Sequence, residues 1–248
     1  MRWLLAVCLW WAAAASAEEI VLGLSQEEVA ITANFVGSDI LIFGAIKRDA
    51  PIPEGMLGVI VTVAGPDRPI TVRRKARRLG LWVNTEAVEV DAAPTFYAVA
   101  SSAPLHEVLR DTEDLRTRIT IPRAIRSVGA NVADSRNFTD ALIRIQAGSD
   151  LYQVLPEGVD FEEATLFRTA IRLPANLTEG NYTARIFLTR DGRIVDSYDT
   201  VIPVQKVGLE RWLYNLAHEQ AFIYGLLSLA MAVSAGWLAS AAFAAIRR

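Results

Sequence analysis

The sequence predicts a mainly β fold: an immunoglobulin-like antiparallel β-sandwich, one or two of them, with a short amphipathic helix and a single C-terminal transmembrane helix. Three observations predict it. Short segments of β-rich sequence recur between Gly, Pro, Asn and Asp punctuation, the pattern of an antiparallel sandwich or barrel. The run Thr178-Glu-Gly-Asn-Tyr182 is similar to the turn that places a corner tyrosine in immunoglobulin-like sandwiches. Ala221 to Ile246 contains no charge, and about 20 such residues suffice for a helix to cross a bilayer core.

The elements follow in chain order. Met1-Arg2 is a short basic start, Leu4 to Ala15 is apolar, and Ala15-Ser16-Ala17 is an A-x-A site. Residues 1–17 therefore read as a secretory signal peptide cleaved before Glu18. Cys8, the only cysteine, lies inside it, so the mature chain has no disulfide or thiolate site and depends on its core. Removing Arg2, Arg247 and Arg248 from the 25 basic residues leaves 22 against 28 acidic ones, a net −6 for the exported region. That balance argues against a general nucleic-acid role.

In Val29 to Phe35 the residues Val29, Ile31, Ala33 and Phe35 alternate against Thr32 and Asn34, as in a half-buried strand. Ile40 to Ile46 is apolar on both faces, which predicts a central strand. Pro51 and Pro53 break the chain, and strands are expected at Val59–Val63, Ile70–Arg78, Leu81–Asn84 and Phe96–Ala100. Pro104 to Leu109 predicts one helical turn. Ser135 to Ala147 predicts a helix capped by Ser135 or Asp134, with Phe138, Ala141, Leu142 and Ile145 on one face and Gly148 at its end. Strands resume at Thr169–Leu173 and at Tyr182–Leu188, and Arg190-Asp191-Gly192-Arg193 reads as a hairpin turn. The position two residues after Tyr182 is Ala184, so any likeness is to cysteine-free sandwiches. The domain plan is a β-rich region over residues 18–206, with a subdivision near 103–115, a juxtamembrane segment over 207–220, a span over 221–246 and a tail of 247–248.

The span carries the topology. Trp212, Tyr214 and Tyr224 precede or open it, and Arg247 and Arg248 follow it; aromatic rings suit the headgroup level, and basic residues mark the cytoplasmic side. Ser228, Ala232, Gly236, Ser240 and Ala244 recur every four residues. Such a stripe of small side chains lets helix backbones approach closely, although a span rich in Ala, Gly and Ser produces one by composition alone.

No pattern nominates a catalytic centre or cofactor. His106 and His218 are the two histidines, and no H-E-x-x-H, G-x-S-x-G, P-loop or Rossmann glycine pattern occurs. Glu27-Glu28, Asp111-Thr-Glu113-Asp114 and Glu162-Glu163 read as solvated loops in preference to cation sites. Asn137, Asn176 and Asn181 open Asn-x-Thr triplets, which local capping explains without glycans.

The unusual polar feature is Val72-Arg-Arg-Lys-Ala-Arg-Arg78. On a strand, Arg73, Lys75 and Arg77 project to one side and Arg74 and Arg78 to the other. One reading is a charged edge that discourages strand pairing. The other is a contact for an anion or partner: lipid headgroups, a small oxyanion or an acidic protein surface.

A family resemblance rests on particular residues: Val29–Phe35, Phe43-Gly44, Gly65-Pro66, Val72-Arg-Arg-Lys75, Gly80-Leu-Trp-Val-Asn84 and Phe96–Ala100. Leu166-Phe-Arg168, Leu173-Pro174, Asp191-Gly192, Tyr224-Gly225 and Gly236-Trp237 belong to the same set. From about residue 20 to its end the chain resembles a family of alphaproteobacterial transmembrane proteins. The resemblance implies a Gram-negative inner membrane, a periplasmic β-rich domain and an association with TauE/SafE-type sulfite exporters; it implies no catalytic residues.

The expected function is a membrane-anchored periplasmic interaction or accessory protein, not an enzyme, whose partners are membrane lipid and an integral-membrane protein or a second copy of the chain. The alternative is a membrane-tethered enzyme or a periplasmic small-ligand-binding protein. A deep pocket of convergent polar groups favours the alternative, and an exposed apolar patch favours the interaction protein.

Overall fold

The computed structural model describes residues 18–26, 28–31, 35–48, 54–126, 135–206 and 209–246. The signal segment, residues 32–34 of the first expected strand, the Pro51–Pro53 break, Asp134 and the Arg247–Arg248 pair lie outside the described residues. Strands β1 (Glu18–Leu24), β2 (Val29–Ile31), β3 (Ser38–Arg48) and β4 (Leu57–Ala64) lead into a long hairpin of β5 (Asp67–Arg78) and β6 (Leu81–Pro94). After β7 (Tyr97–Ser101) come helices α1 (Leu105–Val108), α2 (Asp111–Thr117), α3 (Ile121–Ala124) and α4 (Ser135–Ala147). The β-rich part closes with β8 (Tyr152–Leu155), β9 (Val159–Glu162), β10 (Leu166–Leu173), β11 (Gly180–Arg190) and β12 (Arg193–Lys206).

Two sheets carry the fold. One has the order β1–β3–β10–β9 and the other β2–β12–β11–β4–β7–β8, while β5 and β6 pair with each other and Ala92 of β6 also bridges to Arg126. The pairs β1–β3, β3–β10, β9–β10, β11–β12, β4–β11, β4–β7 and β5–β6 are antiparallel, and β7 and β8 run parallel. A parallel neighbour needs a long crossover, and α1 to α4 supply it. The inner face of the four-stranded sheet presents Ile40, Ile42, Ile46 and Ile171, all buried, and the facing side of the other sheet presents Val61, Val63, Ile186 and Leu188, also buried. These faces form the first core.

The six-stranded sheet is covered on its second face as well. Ile60, Tyr97, Val99 and Phe187 join Val88 and Val90 of the hairpin base and Phe138 and Leu142 of α4 in a second core. Hence β4 is buried along its length, whereas β10 alternates buried and exposed residues. The strands covered on both faces are thus β4 and its neighbour β7, not the Ile40–Ile46 segment. β3 is central by hydrogen bonding, with β1 on one side and β10 on the other, but Leu41 and Phe43 on its outer face are exposed.

Helix α4 spans the residues expected of it. Its buried stripe is Phe138 and Leu142 with Ile143 packed beside them, while Ile145 is 58% exposed. The hydrophobic face is rotated from the one that includes Ile145, because the helix leans on the hairpin base and β8. The segment Asp111 to Asp114 is not a solvated loop. It opens α2, and the buried Asp114 carboxylate accepts from the Ile119 and Thr120 amides at 3.0 and 2.8 Å and from the Thr120 hydroxyl at 2.7 Å. The strand expected at Leu81–Asn84 is present but longer: the segment begins β6, which runs to Pro94.

Two turns match expectation. Tyr182 is fully buried and its hydroxyl donates to the Thr178 carbonyl at 2.9 Å. Asp191 and Gly192 link β11 to β12 with φ of 49° and 76°, the left-handed geometry of a tight hairpin.

The described residues within 18–29 and 36–204 belong to one compact unit, and those within 30–35 and 205–246 to another. In the second unit α5 (Leu209–Glu219) precedes α6 (Ala221–Ile246), a helix of 26 residues. The Tyr214 and His218 rings stack in α5 with centroids 4.0 Å apart. Along α6 the described side chains are exposed apart from the half-buried Ser228, and its stretch Ala221–Ser240 is long and apolar enough to cross a membrane.

Candidate binding surfaces

The basic run lies on β5 and is brought beside an apolar stretch of β6 by the hairpin register. Arg77 faces Trp82, Arg78 faces Leu81, Ala76 faces Val83 and Lys75 faces Asn84. A register shift between Arg74 and Lys75 marks a bulge, which increases local twist. The run does not act as a unit. Arg74 pairs with Glu86 at 2.9 Å and places its guanidinium 4.6 Å from the centre of the Phe138 ring. Among the described residues, no carboxylate forms an ion pair with Arg73, Lys75, Arg77 or Arg78.

Between β5 and α4 runs an open groove of about 430 Å³, lined by Val72, Arg73, Arg74, Asn137, Asp140 and Arg144 among others. Three guanidinium groups with one carboxylate give it a positive balance, and Ile145 forms part of its wall. The groove therefore offers charge-assisted donors to an anion. Sequence reading found Arg73 and Arg74 but not Arg144, since only the packing of α4 on the hairpin base brings it near.

A second surface had no sequence signal of its own. The outer face of the four-stranded sheet aligns Val21, Ala45 and Leu166 across β1, β3 and β10, with Phe43 in the next row between Gly23 and Arg168. Val21 is 52% exposed, Phe43 43% and Leu166 54%. Charged pairs rim this strip: Lys47 with Glu19 at 3.3 Å, and Arg168 with Asp160 at 3.0 Å. An apolar centre with a polar rim is the anatomy of a protein contact surface.

Among the described residues no group of three or more His, Cys, Asp or Glu side chains is placed to hold a metal ion. Glu28 is exposed, and Glu27 lies outside the described residues. Glu162 is exposed at the end of β9, 3.9 Å from Arg168. His106 is exposed beside Glu107, at 3.7 Å. The perturbed groups are structural. Burial pushes the Tyr182 phenol up to about 12, although its hydrogen bonds oppose this, and burial raises the Tyr97 phenol against the opposing pull of Arg185.

Of the small residues on α6, Gly236 has open space where a Cβ would stand, while the side chain of Ala244 lies outside the described set. Leu226, Leu229, Val233 and Trp237 line a shallow apolar groove along the same helix.

A β-rich body of two sheets, followed in sequence by a long apolar helix, defines a class: proteins with a folded domain and, among the described residues, one candidate membrane anchor. The chain belongs to the family "Putative transmembrane protein (Alph_Pro_TM)", alphaproteobacterial by its name, whose model matches residues 19–245. No curated protein matches the chain.

Proposed function

We propose that the protein is a membrane-anchored accessory subunit whose β-rich part docks on an integral-membrane protein, an anion exporter of the sulfite type being the first partner to test. In this reading residues 1–17 are a cleaved signal, residues 18–206 form an immunoglobulin-like periplasmic domain, and the C-terminus faces the cytoplasm of a Gram-negative inner membrane. The protein binds and has no catalysis of its own. The observation that carries the reading is the exposed apolar strip of Val21, Leu41, Phe43 and Leu166 on the outer sheet face. A strip of this kind within a polar rim marks an interaction site. The hydroxyl bond of Tyr182 to Thr178 supports the immunoglobulin-like assignment.

The test is a photocrosslinking residue in place of Phe43 in native membranes, with Arg172 as a control site at the sheet's other end. Recovery of one membrane protein from position 43 is expected. A crosslink to a second copy of the chain makes the strip a homodimer face, and no crosslink removes the docking role. A periplasm-active reporter fused after Lys206 is expected to be active and one fused after Arg248 silent; the reverse pattern overturns the orientation.

The second reading, a small-anion binder, is favoured by the groove of Arg73, Arg74 and Arg144. Its volume falls in the usual range for ligand sites. Calorimetric titration with sulfite, sulfate and phosphate separates it from the first, since a docking subunit gives no heat with any of them.

A further inference from the structure

Beyond Val72 on β5 and before Val88 on β6 the hairpin has no buried side chain. It continues as a free two-stranded ribbon, which is marginal in water without a surface to lie on. Its tip is apolar: Leu79 is fully exposed, Leu81 70% and Trp82 69%. The turn itself is unusual. Leu79 has φ of 50° and Gly80 of 87°, a conformation for which Asn-Gly or Asp-Gly is the favoured pair. A leucine in the left-handed region weakens the turn and touches nothing that repays it within the chain. Its use lies outside.

The register decides what kind of surface fits. Arg77 and Trp82 share one face of the ribbon with Lys75, and Arg78 and Leu81 share the other. Neither face is apolar throughout, so a protein groove that buried Trp82 or Leu81 would bury a guanidinium with it. The headgroup layer of a bilayer accepts both. Tryptophan is at home at that depth, leucine reaches the acyl boundary, and long basic side chains extend back to the phosphates. Arg73, Lys75, Arg77 and Arg78 lack ion-pair partners within the described chain, and each basic residue near an anionic surface raises partitioning roughly fivefold.

We propose that the hairpin tip, Leu79 to Val83 with Arg77 and Arg78 behind it, is a membrane-binding loop that inserts into the headgroup layer of anionic lipid. The inference rests on the chain being anchored in a membrane but not on any docking partner. It gives the basic run a lipid ligand and the β-rich part a second attachment to the bilayer.

The test uses the full chain carrying Cys8→Ser, so that one introduced cysteine takes a spin label. Leu79→Cys reports on the tip and Ala230→Cys on α6, in vesicles of phosphatidylcholine alone or with an equal part of phosphatidylglycerol. Collision with oxygen, which concentrates in lipid, is compared with collision with a water-soluble nickel chelate. The tip label is expected to lose most of its nickel accessibility in the anionic vesicles, and to regain it in neutral vesicles or when Arg77→Glu and Arg78→Glu are added. A tip label that stays water-accessible in anionic vesicles overturns the proposal, and equal immersion in both lipids overturns its recognition of anionic headgroups. Spin–spin broadening at the tip assigns it to a second copy of the chain, which also overturns the proposal. The Ala230→Cys label separates the two levels of failure, because its exposure to nickel would mean that the anchor itself is absent.

Discussion

Arg190 donates from Nη2 to both carboxylate oxygens of Glu18 at 2.8 Å, joining the last residue of β11 to the first of β1. The two belong to different sheets, so this pair ties one to the other. Arg48 completes the cluster by donating from Nε to Glu18 at 2.8 Å, and all three side chains are nearly buried. Burial pushes the Glu18 carboxyl up, but hydrogen bonds from Arg190 and Arg48 and their charges outweigh it and leave the group below its ordinary value of 4.5.

The linkage sign follows from that direction. A carboxyl held below its unfolded value contributes stability that is present above that value and is lost as pH falls through the folded one. Arg190→Met leaves Glu18 buried with one partner, and breaking such a pair costs about 3 kcal/mol. Denaturant unfolding should show the variant weakened by about that much at neutral pH. The gap should close as pH falls below about 4.5. A gap independent of pH would mean that Arg190 contributes packing and not charge.

Tyr182→Phe removes the hydroxyl bond to Thr178 at 2.9 Å and leaves a carbonyl without that donor. A loss of about 0.5–1.5 kcal/mol is expected, seen as a lower unfolding midpoint with an unchanged slope. The phenol should also resist ionisation to about pH 12 until the fold opens, which absorbance titration measures.

What the sequence made legible is what local chemistry specifies. Tyr182, Asp191-Gly192 and Ser135 to Ala147 each announce their structure within a few residues, and the basic run of β5 is visible as charge. What remained hidden depends on partners distant in sequence. Glu18 and Arg190 are separated by 172 positions, and nothing local marks either as half of an inter-sheet tie. Ile40 to Ile46 reads as apolar throughout, because Leu41 and Phe43 are hydrophobic yet face outward; periodicity cannot separate an exposed apolar face from a buried one. The apolar tip beside the arginines was missed for a related reason, since Leu81 to Asn84 read alone gives no sign of pairing with Lys75 to Arg78.

The exposed strip depends on two glycines with different tolerances. A Cβ on Gly44 would lie 2.5 Å from the Phe167 ring and 2.6 Å from the Val21 carbonyl oxygen, a ring in the core and a piece of backbone. A Cβ on Gly23 would also meet a ring at 2.5 Å, but that ring is Phe43, which is exposed and free to swing outward. Gly44→Ala should therefore cost about 1–3 kcal/mol by overpacking, and Gly23→Ala less than about 1 kcal/mol, since alanine recovers some chain entropy. Equal losses in thermal or chemical unfolding would show that Phe43 is held as firmly as Phe167.

The last prediction concerns the anchor's own contacts. A helix that only tethers needs length and hydrophobicity, so its small residues are interchangeable with leucine. One that packs against another helix needs them small, because lipid competes equally for apolar side chains and close backbone approach supplies the attraction. Gly236 has no neighbouring atom within 4 Å of the place a Cβ would occupy. A Cβ on Gly236 meets no other described part of the chain, so an effect of Gly236→Leu points to another helix. Membrane integration should be unchanged while recovery of a crosslinked partner or dimer falls. Ala230→Leu, about 120° around the helix at 3.6 residues per turn, provides the control and should crosslink like the parent. If both variants do so, α6 is a tether alone and any partner is held by the β-rich part.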